Sequence, residues 1–273
     1  MRLNSLEGNN AIREMLLSDK PGMVTRLGKV EAECLSLFLQ RHPWTDHVRG
    51  QLQNNAGFFP VTDDMMYQFC NEFLDHIKNA DVIALWLDHL DDVIANNFCP
   101  KALKVELRSL EPYYHDKPWS TALSGKKVLV VHPFEESIKS QYNKRKLLFK
   151  NPDILPDFEL ITVKAVQSCS GNPVPFQTWF EAYQYMRDEI IKQDFDIALI
   201  GAGAYGLPLA SFIKRLGRKV VHIAGATQIL FGIKGLRWDD HEDISKLYNE
   251  HWVRPSHTER PEKFQSVEGG CYW

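Results

Sequence analysis

The second half of the chain alternates short runs of aliphatic and β-branched residues with segments whose apolar positions recur every three or four residues. Lys127-Val-Leu-Val-Val-His132 is apolar enough to be a strand buried on both faces. A polar helix is predicted from about Glu135 to Phe149, and Glu159-Leu-Ile-Thr-Val-Lys164 reads as the next strand. A loop rich in turn formers, Ser168 to Pro175, leads to a helix with Trp179, Phe180, Tyr183, Met186, Ile190 and Ile191 on one face. Asp196–Ile200, a helix over Leu207–Leu216 closed by Gly217, and Lys219–Ile223 complete a βαβαβαβ succession. The first half is less regular, with helices predicted near residues 8–18, 30–39 and 63–78 and strands at Gly22–Leu27 and Val82–Trp86. This is the pattern of an α/β fold: a Rossmann-like, mostly parallel sheet with helices on both faces. We expect one α/β domain over residues 1–273, with a helical insertion around 88–123 and a loop-like tail over 253–273.

Composition narrows the function classes. Against 35 Asp+Glu the 273 residues carry 32 Lys+Arg, a net charge of −3. That balance lacks the basic excess that binding a run of nucleic-acid phosphates requires, so no nucleic-acid partner is expected. No apolar run approaches the ~20 residues of a membrane span, and the charged opening segment has no signal-peptide core, which places the expected location in the cytoplasm. Five scattered cysteines without a C-x-x-C pair suggest neither a disulfide framework nor a zinc site.

The chemistry concentrates in turns. Gly201-x-Gly203-x-x-Gly206, with Tyr205 inside it, lies between a strand and a helix, where glycines let backbone amides approach phosphate oxygens. A dinucleotide site would place an acidic residue at the end of the following strand, but that strand ends in His222-Ile-Ala-Gly225, so a nucleotide diphosphate fits better. Gly225-Ala-Thr-Gln228, including Thr227, offers further donors beside it. The same glycines also suit tight helix–strand packing alone.

Near the start, Thr25-Arg-Leu-Gly-Lys-Val-Glu-Ala-Glu33 runs from a strand into a helix. There Arg26 could clamp an anion, and Glu31 or Glu33 could act as a base or bind a divalent cation. Ser137, Lys139 and Gln141 fall in the first turns of the helix after the Lys127 strand, at the edge where open α/β sheets bind ligands. Asn54-Asn-Ala-Gly-Phe-Phe-Pro60 suits a sugar or base pocket and equally a packed turn. No G-x-S-x-G, H-E-x-x-H or P-loop is present.

Taken jointly, several segments resemble a bacterial family of glycosyltransferases with the GT-D type fold, found among genes for surface polysaccharides. They are Arg26-Leu-Gly-Lys-Val-Glu31, Asn55-Ala-Gly-Phe-Phe-Pro60, Leu110-Glu-Pro-Tyr-Tyr-His115, Val131–Ile138, Ile200–Pro208, Gly225–Gln228 and Glu268-Gly-Gly-Cys-Tyr-Trp273. The resemblance implies a nucleotide-sugar donor, a glycan or other hydroxyl acceptor, and roles for Arg26, Gly28 and Glu31. In that family the early corner reads Arg-x-Gly-Asp-x-Glu, and its acidic pair holds a divalent metal such as Mn²⁺ or Mg²⁺. Here Lys29 stands at the Asp position. Either Lys29 offsets the diphosphate charge itself or Glu33 substitutes as second ligand, although two positions further along a helix it points to another face. Glu31 is the leading candidate catalytic carboxylate and Asp239, in Gly235-Leu-Arg-Trp-Asp239, the second. Two other classes stay open: a non-catalytic nucleotide-sugar or glycan binding module, suggested by Lys29, and a nicotinamide-dependent oxidoreductase, suggested by the glycine motif.

Overall fold

The computed structural model describes residues 2–86 and 89–273. Eight strands form one sheet, β1 (Arg2–Leu3), β2 (Gly22–Arg26), β3 (Val82–Leu85), β4 (Leu103–Glu106), β5 (Lys127–His132), β6 (Glu159–Lys164), β7 (Ile197–Ile200) and β8 (Lys219–His222). Their spatial order is β1-β4-β3-β2-β8-β7-β5-β6, and every pairing is parallel.

Alternation along the strands explains the two-sided architecture. Met23, Ile83, Leu129, Val131, Ala198, Ile200 and Val220 join one apolar core. Val24, Val82, Ala84, Val128, Val130, Ile197, Leu199 and Val221 join the other. A strand with apolar residues at every position therefore has both faces covered, as parallel sheets require. The first core is closed by α2 (Lys29–Leu39), α3 (Asp46–Asn54), α4 (Asp63–Ile77), α5 (His89–Phe98), α7 (Trp179–Ile191) and α8 (Gly206–Arg215). The second is closed by α1 (Ser5–Leu17), α6 (Glu135–Tyr142), α9 (Ala226–Leu230), the turns around Trp119 and the chain after Trp252.

Local signals place the ends of these helices. Asn4 caps α1 in a capping box with Glu7, and Thr178 caps α7 through the Glu181 amide. The polar helix predicted to Phe149 ends at Tyr142; Asn143 caps it and a tight turn at Arg145–Leu147 follows. Over residues 89–123 the chain is not the helical insertion expected from the sequence, and residue 88 itself lies outside the described residues. Helix α5 is followed by β4, whose Leu103–Glu106 pair with Val82–Leu85, and then by three short 3-10 turns. Four residues with a single buried side chain gave no strand periodicity; pairing with β3 and β1 makes them one.

The tail over 253–273 has only short turns, and it is tied down. Glu259 accepts hydrogen bonds from the Glu136 and Ser137 amides (2.8 and 3.1 Å), from the Ser137 hydroxyl (2.5 Å) and from the Ser256 amide (3.1 Å), so the tail caps the N-terminus of α6. Among the described residues no helix is long and apolar enough to cross a membrane.

Trp179 anchors the larger aromatic cluster. Its ring stacks on Tyr205 (4.9 Å between centroids, 5° between planes) and Tyr183 (5.4 Å) and meets Phe58 and Phe69 edge-on or tilted. Truncating a fully buried Trp forfeits its apolar transfer energy and leaves a cavity. Trp179→Ala is expected to cost about 3–5 kcal/mol in urea denaturation; a loss below about 1 kcal/mol would show the cluster to be loosely packed.

Candidate functional site

Parallel strands deliver all their carboxyl ends to one edge, and there the structure opens a cavity of about 700 Å³. That size lies within the range of about 300–1,000 Å³ usual for small-molecule sites. It reaches from Arg26 at the end of β2 past Trp86, Arg108, His132 and Gly201 to His222 at the end of β8 and Ala224 beyond it, and the tail closes it with Glu268, Tyr272 and Trp273. Connections diverge here: β5 leads to β6 on one side, and its neighbour β7 leads to β8 on the other. Such a divergence is where open α/β sheets leave a crevice.

Arg26 is the most unusual group in it. The guanidinium lies over the Trp86 ring, 4.7 Å from its centroid, while the Trp86 indole donates to the Leu27 carbonyl (3.2 Å). Among the described residues the guanidinium makes no hydrogen bond and no ion pair, and its Nε is buried without a partner. Burial pulls its pKa down, against the pull of Glu31, Tyr272 and Glu111. Glu31, three residues into the turn that starts at Gly28, is buried, and burial raises its carboxyl, offset by its own amide and by Arg26. The carboxylate folds back over the α-carbon of Gly28, so a Cβ there would displace it from this position.

The glycine loop is shaped by packing as much as by openness. Gly203 has φ +52°, and a Cβ there would lie 2.8 Å from the Ala56 carbonyl. The amides of Gly201, Ala204, Tyr205 and Gly206 donate to Val131, Ala56, Ala202 and Gly203 carbonyls. Those of Ala202 and Gly203 have no acceptor among the described residues, and both residues line the cavity. The Tyr205 hydroxyl is 2.9 Å from Ser168 Oγ, which also donates to the Gly57 carbonyl (2.6 Å). Asn55, Ala56 and Gly57 thus line the cavity while Phe58 enters the core: the segment is both pocket wall and packed turn. Ala224, with φ +59°, holds a left-handed conformation that costs an L-residue about 1–2 kcal/mol, at the point where β8 turns over the cavity.

Of the residues singled out from the sequence, Arg26, Gly28, Lys29, Glu31, Gly201, Gly203, Tyr205, Gly225 and Gln228 line this cavity. The Gln228 amide is engaged, donating to the Ile233 and Tyr272 carbonyls. Gly206 instead packs against the His222 ring, and the Thr227 hydroxyl donates to the Ala224 carbonyl (2.7 Å). The α6 trio lies outside the cavity lining. Ser137 is held by Glu259, Lys139 pairs on the surface with Glu135 (2.8 Å), and buried Gln141 donates to the Gly232 and His251 carbonyls. Asp239 pairs with Arg254 (2.5 Å) and Glu33 with Lys29 (4.0 Å), and neither Asp239 nor Glu33 lines the cavity.

Several lining residues carried no functional assignment from the sequence: Trp86, Arg108, Glu111, Arg237, His241 and Tyr272. Arg237 lies 4.7 Å over the Tyr272 ring and pairs with Glu268; Arg108 lies 4.6 Å over Tyr114 and pairs with Asp243 (3.1 Å). They arrive from positions 60 to 246 residues from Arg26 in sequence, which no local spacing could link to it. The segments Leu110–His115 and Glu268–Trp273 stood out only through resemblance.

Two buried histidines face the glycine loop. His132 Nδ1 accepts the Phe134 amide (3.0 Å), and His222 Nδ1 meets the Thr25 hydroxyl (3.0 Å) while its Nε2 has no partner. Burial lowers both pKa values to about 3, with Arg26 adding to the effect at His222.

No known family model matches the sequence, and no curated protein does. Among solved structures, the selenomethionine-substituted structure of "domain of unknown function 1792 (DUF1792)" is similar, with a TM-score of 0.53 at 9% identity over 94% of this chain and 91% of that one. That likeness shows the fold.

The histidines set a pH dependence. In the unfolded chain each titrates near 6.5, so below that pH the unfolded state takes up a proton that the folded state refuses. Their contribution is complete above pH 6.5 and is lost as pH falls toward 3. Glu31 and Glu111, raised by burial, act in the opposite sense above their unfolded values. His222→Gln is expected to flatten the acid limb of stability by roughly one proton, about 1.4 kcal/mol per pH unit between pH 6 and 4. Urea denaturation across that range checks it; an unchanged slope would show His222 to be protonated in the fold.

Proposed function

We propose that this chain is a glycosyltransferase that moves a sugar from a nucleoside-diphosphate donor to a hydroxyl of a glycan or related acceptor. The observation that carries this reading is the unpartnered Arg26 guanidinium at the wall of a 700 Å³ cavity. A guanidinium drawn out of water without a hydrogen bond or ion pair of its own is costly, which suits a site that takes an anionic ligand. Two open amides at Ala202 and Gly203, on the strand-to-helix turn beside it, suit the oxygens of a diphosphate. The motif resemblance supplies the sugar; the fold of the similar solved structure accommodates the reading without adding to it.

In this reading the donor's diphosphate lies between Arg26 and the Ala202–Gly203 amides, which stabilise the negative charge that grows as the bond to the sugar breaks. The ring of Trp86 holds the guanidinium in place. Glu31, folded over Gly28 and within reach of the Arg26 charge, orients the guanidinium or the sugar. The residues present do not fit the divalent metal that the resemblance implies. Glu31 already faces a guanidinium, Glu33 is turned to Lys29, and among the described residues no three His, Cys, Asp or Glu side chains gather as ligands.

One observation favours a non-catalytic binding module: Lys29, at the position of the family's metal-binding Asp, is 74% exposed at the rim rather than buried at the reaction centre. Turnover separates the two. Glu31→Gln is expected to lower sugar transfer at least tenfold with donor affinity within about threefold; ligand binding without turnover across a broad donor and acceptor panel would favour the module.

Binding itself is tested by thermal shift with UDP-, GDP- and ADP-sugars in EDTA and in Mn²⁺. A ligand at 100 times its Kd adds about 2.7 kcal/mol of apparent stability. Wild type is expected to be stabilised in EDTA. Arg26→Met is expected to abolish the shift, since it removes the guanidinium that would hold the diphosphate. Stabilisation by none of these nucleotides would overturn the proposal.

A further inference from the structure

Sugar transfer to a hydroxyl needs a group that accepts the hydroxyl's proton, and three carboxylates line the cavity: Glu31, Glu111 and Glu268. Two are committed elsewhere. Glu268 is ion-paired with Arg237 and lies 3.6 Å from the Cys271 thiol. Glu31 is folded over Gly28, accepts its own amide and faces the Arg26 guanidinium. The third, Glu111, makes no ion pair among the described residues.

Its placement is specific. Glu111 is the single residue between two 3-10 turns, Leu107–Leu110 and Pro112–Tyr114, which follow β4 directly. Its backbone is extended there (φ −106°, ψ 95°), and Pro112 begins the next turn with its φ restricted. The flanking Leu110 and Tyr113 are buried, which fixes the segment against the second core. The carboxyl faces the charges of Arg26, from β2, and Arg108, from its own turn, with the hydroxyls of Tyr113 and Tyr114 beside it. It therefore shares Arg26 with the donor site while standing on a different strand connection from Glu31, so the guanidinium has a carboxylate from each of two elements in reach of its charge.

We infer that Glu111 is the acid–base residue of the site, accepting the proton of the incoming hydroxyl while Arg26 holds the leaving diphosphate. The inference rests on the glycosyltransferase reading. In the step, the acceptor O–H bond breaks and its proton passes to the Glu111 carboxylate. The oxygen's electron pair forms the new bond to the anomeric carbon. The bond from that carbon to the phosphate oxygen breaks, and its electrons leave with the diphosphate. The proton then returns to water. A base is effective when it titrates near the working pH. Burial raises the Glu111 carboxyl to about 7, against the lowering effects of Tyr113, Arg26 and Arg108. Glu111 makes no ion pair with Arg26 among the described residues; a carboxylate fully paired to a guanidinium would be held too acidic to take the proton.

Two measurements test this with the full chain. The first is calorimetric titration with UDP, GDP and ADP at pH 7 in buffers of different ionisation enthalpy, which counts protons exchanged on binding. A diphosphate arriving beside Glu111 raises its pKa, so wild type is expected to take up several tenths of a proton more than Glu111→Gln, whose affinity stays within about threefold. The second is the pH profile of sugar transfer. Wild type is expected to lose rate below about pH 7, and Glu111→Gln to lose about 10²–10⁴-fold in kcat together with that acid limb. If the nucleotides bind but proton uptake is identical in wild type and variant, or the variant keeps the rate and its acid limb, Glu111 is not the base and the glycosyltransferase reading survives. If no nucleoside diphosphate binds wild type, the underlying reading fails instead.

Discussion

Central strands of this sheet are buried on both faces, and that constraint decides where charge can go. Residues at alternate positions of β2, β3, β5, β7 and β8 enter one apolar core or the other, which leaves no polar face on the sheet's interior. Polar chemistry is pushed to the strand ends, and because all eight strands run the same way, the carboxyl ends of the central ones converge on one edge. Arg26 is the last residue of β2, His132 of β5 and His222 of β8, so each belongs to a strand for its backbone and to the cavity for its side chain.

The cavity is organised around unequal satisfaction of its polar groups. Arg237 and Arg108 have acidic partners and aromatic faces; Arg26 has the aromatic face alone. Backbone amides of the glycine loop divide in the same way, four consumed by the fold and two left open. Unsatisfied groups cost stability in the free protein, as does Ala224 in its left-handed conformation, and Arg26 Nε, His222 Nε2 and Ala224 lie at this edge.

The tail shows how a segment without regular structure becomes part of the site. Glu259 supplies the cap that Phe134 cannot give α6, Gln228 and Arg237 hold the backbone of Cys271 and Tyr272, and Trp273 packs on Phe134 and donates to the Glu259 carbonyl (3.1 Å). These links close the cavity on the side that the sheet leaves open. They also explain Ser137: its hydroxyl is spent on docking the tail.

Much of the fold was legible from residues alone. Runs such as Val128–Val131 and Ile197–Ile200 announce buried parallel strands because every position within them is apolar, and the helix stripe of Trp179, Tyr183 and Met186 repeats at the helical period. β4 escaped because its strand character comes from pairing, with only Val105 fully buried. The candidate site divided along the same line. Arg26, Gly28, Glu31, Gly201 and Gly203 were visible because a strand-to-turn corner is a local feature of a few consecutive residues. Ser137, Lys139, Gln141 and Asp239 share the same composition, but their partners Glu259, Glu135, Gly232 and Arg254 turn them elsewhere. Glu111, Arg237 and Tyr272 join Arg26 only through the chain's return across the sheet. Sequence determined which segments are strands and which corners carry charge, since those depend on neighbours along the chain. Tertiary structure decided which charges meet, since a partner 80 or 240 residues away leaves no periodic trace.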